Sequence, residues 1–375
     1  MREFDVAIVG AGIAGASLAY HLAGRRSVLL LEREAQPGYH STGRSAAMFM
    51  ESYGPPCVRA LTRASRAFYE QPPRGFAAAR ILSPRGVMYV ATHEQQALLQ
   101  SLHGELAGGG TRIETLTADE ALARVPCLNP EVLYGALFEP DAQDIDVNAL
   151  HQGFLRGARA RGAELRVNAG LAAAAREGKV WQLRLADGAA FCARTVVDAA
   201  GAWADEVAAF CGVVPVGLEP RRRSAFTFKA PEGVDSSRWP AVVGVDESFY
   251  FKPDAGQLLG SPANADPTLP HDVAPEEFDI AVGIHQIEAV TTLSIRRPAS
   301  TWAGLRSFVH DGEMVIGWDE RRDGFFWLAA QGGYGIQSAA GASELAAALI
   351  CGEPLPAELA RHGVEPHAVA PERLR

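Results

Sequence analysis

Residues 4–32 read FDVAIVGAGIAGASLAYHLAGRRSVLLLE, and the fold is decided here. The apolar run Phe4 to Val9 closes on a glycine and predicts a short buried strand. Gly12 to Leu22 carries small and apolar residues in a helical pattern, and Val28 to Leu31 is a second apolar run ending at Glu32. Strand, helix and strand in this order form a βαβ unit, with Gly10-Ala11-Gly12-Ile13-Ala14-Gly15 at its first turn. A bound dinucleotide needs this spacing. Gly10 permits the tight turn, Gly12 lets a pyrophosphate approach the backbone, and Gly15 lets helix and strand pack closely. The helix N-terminus meets the phosphate, and Glu32 can accept hydrogen bonds from ribose hydroxyls. The expected ligand is FAD or NAD.

Further along, Thr195-Val196-Val197-Asp198-Ala199-Ala200-Gly201 and Met314-Val315-Ile316-Gly317 again place an apolar run before a glycine, so the chain is expected to return to the same domain. Between these visits, Arg80 to Ala91 and Ala241 to Leu259 carry β-forming residues around turns and predict a second, mixed or antiparallel sheet. Two loops favour FAD over NAD. Gly38 to Ala47 (GYHSTGRSAA) is polar and glycine-punctuated, suited to wrapping a ring system and its ribityl chain. Gln331-Gly332-Gly333-Tyr334-Gly335 is expected to open a helix from Ile336 to about Ile350, whose positive end would face the electron-rich edge of an isoalloxazine.

The whole 375-residue chain has 35 Lys and Arg against 44 Asp and Glu, a net charge of -9 that argues against a nucleic-acid partner and for a small molecule. With 48% hydrophobic and 21% charged residues it is not a disordered chain. Cys57, Cys127, Cys192, Cys211 and Cys351 are scattered without a CxxC pair, which predicts a reducing, cytoplasmic compartment and no metal site. No apolar run is long enough to predict membrane insertion, and neither GxSxG nor HExxH occurs. Arg221-Arg222-Arg223 and Arg306 stand in otherwise apolar surroundings, where a guanidinium can hold a carboxylate with two hydrogen bonds. Tyr53 and Tyr250 could add hydroxyls. For each of these the plainer alternative is a surface or core side chain.

Five blocks carry a resemblance: LEREAQPGYHSTGRSAA (31–47), DESFYFKPDAG (246–256), LLGSPANADP (258–267), TWAGLRSFV (301–309) and AAQGGYGIQ (329–337). Over nearly its whole length the chain resembles the bacterial FAD-dependent D-amino-acid dehydrogenases, the D-arginine dehydrogenases in particular, within the D-amino-acid oxidase group. The resemblance implies an α/β fold with a Rossmann-like FAD-binding domain from residues 1–80, 146–220 and 306–375. A second, α+β substrate domain on a mixed or antiparallel sheet would take residues 81–145 and 221–305. It places non-covalent FAD against Gly10, Gly12, Ala14, Gly15, Glu32, Arg33, Ser41, Thr42, Gly43, Arg44, Ser45, Ala46, Ala47, Met48 and Leu171, and against Gly332, Gly333, Tyr334, Gly335, Ile336 and Gln337. Arg222 and Arg306 would hold the substrate carboxylate with help from Tyr250, while Tyr53 and the backbone near Gly333 close over the amino group. The α-hydrogen is thereby aimed at flavin N5, and hydride transfer yields an imino acid that hydrolyses to a 2-oxo acid and ammonia. A quinone or another carrier would take the electrons.

The side-chain pocket implied by the resemblance comprises Met48, Met50, Val87, Ala241, Val242, Gly333 and Gln337. Val87 stands where the D-arginine enzymes have a glutamate for the guanidinium, and Met48 where they have a histidine. Met50 and Ala241 replace a threonine and a methionine. Methionines suit varied apolar side chains, so the expectation is a preference for apolar or aromatic D-amino acids over D-arginine. Val87→Glu would then recover basic substrates, unless Glu51 already supplies the carboxylate. Oxidation of a 2-hydroxy acid or an N-methyl amino acid, or a non-catalytic flavin-binding redox partner, are the alternatives.

Overall fold

The computed structural model describes residues 2–375. Its first sheet has eight strands, and Glu3–Val9 lies at the centre, parallel to Val28–Leu31 on one side and to Ala190–Asp198 on the other. Strand alternation sorts the apolar residues between two layers. Val6, Ile8 and Leu30 face the helix Ile13–Leu22, which is flanked by the helices Val147–Ala160 and Ala339–Cys351. Ala7, Val9, Leu29 and Leu31 face the other way, toward Trp181, Trp327 and the helix Ala204–Phe210. Glycine is required at the first turn for two separate reasons. Gly10 has a φ of +102°, and a Cβ on Gly15 would lie 1.9 Å from the Gly10 carbonyl oxygen.

The second sheet is mixed. Its strands are Glu219–Phe228, Gln257–Ser261, Tyr250–Asp254, Ala241–Gly244, Val87–Thr92, Leu133–Glu139 and Glu114–Thr117 in spatial order, with Asp266–Pro267 and Ser300–Phe308 pairing with Glu219–Phe228. All pairs are antiparallel except Ala241–Gly244 with Val87–Thr92. One face carries Met88, Val90, Val242, Phe226 and Phe251; the other carries Val87, Tyr89, Ala91 and Ala241 together with Met50. A small third sheet, Met48–Phe49, Gln143–Ile145 and Leu82–Pro84, bears Met48. The fold is thus a Rossmann-like nucleotide-binding domain joined to a mixed α+β domain, and no helix among the described residues is long and apolar enough to cross a membrane.

Two sequence expectations shift. The strand that returns parallel to the centre of the first sheet is Phe325–Ala329; Val315–Trp318 pairs only with it, antiparallel. The late helix begins at Ala339 rather than Ile336, because Gly332 adopts a φ of +51° and Tyr334 to Ser338 forms turns closed by Tyr334 N–H to Gln331 O and Ser338 N–H to Tyr334 O. The glycine-rich segment therefore reaches the cavity as a turn, not as a helix end.

Candidate active site

At the nucleotide end, Glu32 is buried and already oriented: Oε2 accepts the Ala11 N–H at 3.1 Å and Oε1 the Glu34 N–H at 3.0 Å. Gly12 has no side chain to cap the helix behind it. Thr42 Oγ1 does so instead, accepting the Ile13 N–H at 3.0 Å. A cavity lined by Gly10, Gly12, Glu32, Arg33, Leu171 and Trp203 opens here, with the Arg33 guanidinium 4.5 Å from the centre of the Trp203 ring. It shares Gly12, Ser41, Thr42, Ala199 and Gly201 with a second cavity that runs past Ala14, Arg44, Ser45 and Ala46 to Arg306 and the turn Gly332 to Ile336. The two make one elongated space with a ribose-binding acid at one end and glycine backbone at the other. These residues fit FAD, and no cysteine lines either part.

The loop Gly38 to Ala47 is fastened to the second sheet. Ser41 Oγ donates to Leu305 O at 2.6 Å, and Arg44 Nη1 donates to Val273 O and Ala303 O, both at 3.1 Å. In return Trp302 Nε1 donates to Arg44 O at 3.1 Å. The loop is thereby tied to the strand Ser300–Phe308 and to Val273.

A third cavity adjoins the glycine-rich turn. Met48, Met50, Tyr53, Ala241, Tyr250, Arg306, Gly333 and Gln337, all singled out in the sequence, lie along its wall. Arg306 Nη1 donates to the Tyr53 hydroxyl at 3.0 Å, and Gln337 Nε2 donates to Tyr53 O at 3.2 Å and to Thr62 Oγ1 at 3.0 Å. Gly333 abuts this pair: a Cβ there would lie 2.8 Å from Arg306 Nη1 and 3.1 Å from Tyr53 Oη.

The second arginine at the site is Arg223, not Arg222. Glu219–Phe228 is a strand, so neighbours point to opposite faces; Arg223 and Ala225 reach the cavity, while Arg222 and Ser224 turn away. Arg222 is held by Glu276, by Asp279 Oδ2 at 3.2 Å and by Asp266 at 3.8 Å, and Asp279 also takes the Ser224 hydroxyl. Arg223 forms no salt bridge among the described residues and donates from Nε to Asn264 O at 2.5 Å. Burial, and next the charge of Arg306, push its guanidinium down to about 10, so it stays cationic at neutral pH. The signal was in the sequence: Ser224 and Phe226 share a parity, and a strand cannot send Arg222 and Arg223 to one side.

The same rule corrects Val242, which joins Met88 and Phe226 on the far face; Val243 lines the pocket in its place. Val87 is fully buried against Met50 and Tyr89 but does not line the cavity, and Tyr89, two residues on, does. Glu51 is not free to replace a lost carboxylate, since Arg66 Nε binds it at 2.7 Å. Gly15, Gly43 and Tyr334 pack behind the cavity wall rather than in it; the Tyr334 ring lies 5.0 Å from that of Tyr53. Sequence reading also missed Trp203, Glu247 and Lys252. Lys252 shares the strand face of Tyr250, a parity that could have revealed it. It is buried, with Nζ 2.7 Å from Asp144 Oδ1, while Glu247 is exposed at the rim.

Comparison with known proteins identifies the family and the fold. Residues 5–349 match the family model DAO, FAD dependent oxidoreductase. The glycine oxidase of Geobacillus kaustophilus is 25% identical over 359 residues, 89% of either chain. Its crystal structure superposes with a TM-score of 0.84 at 24% identity, covering 97% of this chain and 99% of that one. L-proline dehydrogenase from P. horikoshii gives 0.84 at 21% identity over 99% and 98% of the two chains. Iminodiacetate oxidase from Chelativorans sp. BNC1 gives 0.77 at 23% identity over 95% and 98%.

Proposed function

The chain belongs to the FAD-dependent oxidoreductase family, and from that membership we propose that it is a D-amino-acid dehydrogenase, deaminating D-amino acids to 2-oxo acids and ammonia. The observation that carries this reading is the pair Arg223 and Arg306, two guanidiniums that form no salt bridge among the described residues, where the cofactor cavity meets the apolar pocket. Two half-buried cations side by side are costly unless a ligand supplies a counter-charge. An α-carboxylate does so, and Tyr250 beside them adds a hydroxyl. FAD, once bound, supplies the acceptor for the hydrogen that leaves the α-carbon. What the chain contributes is position: carboxylate on the arginines, amino group toward Tyr53 and Gly333, side chain into the third cavity. No strong protein base is needed. The imino acid then hydrolyses in water, and a quinone or other carrier is the electron sink.

Met48, Met50, Ala241, Val243 and Ile336 make the side-chain pocket largely apolar. Its charged lining is cationic, Arg223, Arg306 and Lys252, the last paired with Asp144, and its acid, Glu247, is exposed. A substrate guanidinium would enter this cationic lining with no buried carboxylate to receive it, which favours apolar and aromatic side chains over D-arginine. The D configuration is supported by the five sequence blocks.

The test is anaerobic mixing of the holoenzyme with D- and L-amino acids while flavin absorbance is followed. Bleaching by D-phenylalanine, D-leucine and D-methionine ahead of D-arginine and the L-enantiomers is the expected result; the reverse order overturns it. Two of the similar structures are named for secondary amines, L-proline and iminodiacetate. Such amines, with 2-hydroxy acids, belong in the panel, and ammonia release separates primary amines from them. A protein that no substrate bleaches is a redox partner without turnover.

A further inference from the structure

Tyr89 lines the side-chain pocket, and behind it lies a buried acid that the reaction does not use. Glu139 is fully buried on the strand beside that of Tyr89. Its Oε1 accepts the Glu51 N–H at 2.8 Å; its Oε2 accepts the Ser52 N–H at 3.4 Å and makes a close contact with the Ser52 hydroxyl. Ser52 Oγ in turn lies 2.8 Å from the Tyr89 hydroxyl. The series Tyr89, Ser52, Glu139 therefore runs unbroken from the pocket wall to the acid.

Each hydroxyl has one proton to give, so the series has two arrangements. An ionised Glu139 can only accept. Ser52 must then donate to it and Tyr89 to Ser52, which leaves the Tyr89 oxygen with only lone pairs to offer the pocket. A Glu139 protonated at Oε2 donates to Ser52, Ser52 donates to Tyr89, and the phenolic proton is released to the pocket. We propose that Tyr89 is a specificity-determining residue, and that the protonation state of Glu139 sets whether it accepts a hydrogen bond from the substrate side chain or donates one.

The surroundings place the change in a useful range. Burial, with a smaller contribution from the Glu51 carboxylate, pushes Glu139 up to about 7 against the hydrogen bonds it accepts. Glu51 is itself paired with Arg66, Val87 stands opposite Glu139 across the strands, and Tyr89 is the titratable group facing it from that side. Beyond Tyr89 lie Tyr53 and Glu247. Among the described residues no guanidinium or ammonium bonds Glu139 to fix its charge.

This inference rests on the amino-acid reading above. Its test compares kcat/KM for D-phenylalanine and D-4-aminophenylalanine, whose aryl amine is chiefly a donor, from about pH 6 to pH 9. Dividing one by the other cancels the titration of the shared α-amino group. The ratio should rise about 3- to 10-fold in favour of the amine through pH 7, the worth of one net hydrogen bond. Tyr89→Phe should flatten it. Glu139→Gln, whose amide donates to Ser52 as the protonated acid does, should hold it at its low-pH value, and Ser52→Ala should also flatten it if that variant is the better folded. A flat ratio in the native enzyme with brisk turnover, or a Glu139→Gln profile like the native one, overturns the inference alone. Failure of every D-amino acid to bleach the flavin overturns the substrate reading and this inference together.

Discussion

Replacing Arg223 by methionine keeps the apolar stem and removes the cation. Among the described residues the Arg223 side chain donates to Asn264 O at 2.5 Å and forms no salt bridge, so the loss falls on the ligand rather than on the fold. Removing one member of a buried, hydrogen-bonded charge pair costs about 2 to 5 kcal/mol. Arg306 still faces the carboxylate and the cavity is open to water, so the lower part of that range applies. At 1.4 kcal/mol per decade the expected fall in kcat/KM for D-phenylalanine is roughly 30- to 300-fold, carried mainly by KM. Arg222→Met is the control. It breaks contacts with Asp266, Glu276 and Asp279, two of which are mostly exposed, and Asp279 keeps the Ser224 hydroxyl at 2.9 Å and the Asn264 amide at 3.0 Å. Stability should fall by about 1 kcal/mol and KM should change less than twofold. Steady-state kinetics with an artificial electron acceptor, beside thermal melts of both holoenzymes, give the comparison. If Arg222→Met raises KM as much as Arg223→Met, the strand register argument is wrong.

Thr42→Val removes the acceptor of the Ile13 N–H beside the cofactor cavity; a lost cap costs about 1 kcal/mol, so FAD should bind roughly fivefold more weakly by fluorescence titration. His21 Nε2 is buried and has no hydrogen-bond partner among the described residues, and burial, then Arg25, lower the imidazole from 6.5 to about 4. The folded state holds it neutral while the unfolded chain binds a proton, so stability is intact above pH 6.5 and falls between 6.5 and 4. That acid loss, up to about 3 kcal/mol, should shrink in His21→Phe when melts are compared at pH 7 and pH 5. Val87→Glu puts a second carboxyl opposite Glu139 in a site with no exposure. It should lower Tm sharply without recovering D-arginine, and a gain of D-arginine turnover would return residue 87 to the pocket wall.

The nucleotide turn was legible because it is local. Gly10, Gly12, Gly15 and Glu32 are fixed by one βαβ unit, and the Glu32 carboxylate lies against the turn that the spacing implied. The pocket is not local. Tyr89, Arg223, Val243 and Lys252 come from four strands of the second sheet, and which of two neighbours faces inward depends on register. A one-residue slip reverses every side chain, and the sheet presents Arg223 and Val243 where the resemblance implies Arg222 and Val242. Glu139 left no trace in the sequence, because its burial beneath Ser52 and Tyr89 exists only after three distant segments have met. The turn that delays the late helix to Ala339 follows from the left-handed Gly332, and a glycine in sequence does not declare its φ.

The central strand has its own history on the ribosome. Val6 pairs in parallel with Thr195, and its neighbour strand Ala190–Asp198 must wait again for Phe325 to Trp327. At about 5 to 20 residues per second of synthesis, the amino-terminal strand and helix emerge roughly 10 to 40 seconds before the partner that covers one edge. During that interval Val6 to Val9 presents a bare apolar strand edge, as Val28 to Leu31 does until Glu164 to Arg166 emerges, and such edges are the surfaces most prone to pair with the wrong chain. The nascent protein should therefore depend on a holding chaperone, and its yield should respond more to slowed translation or cooler growth than the stability of the finished enzyme would suggest.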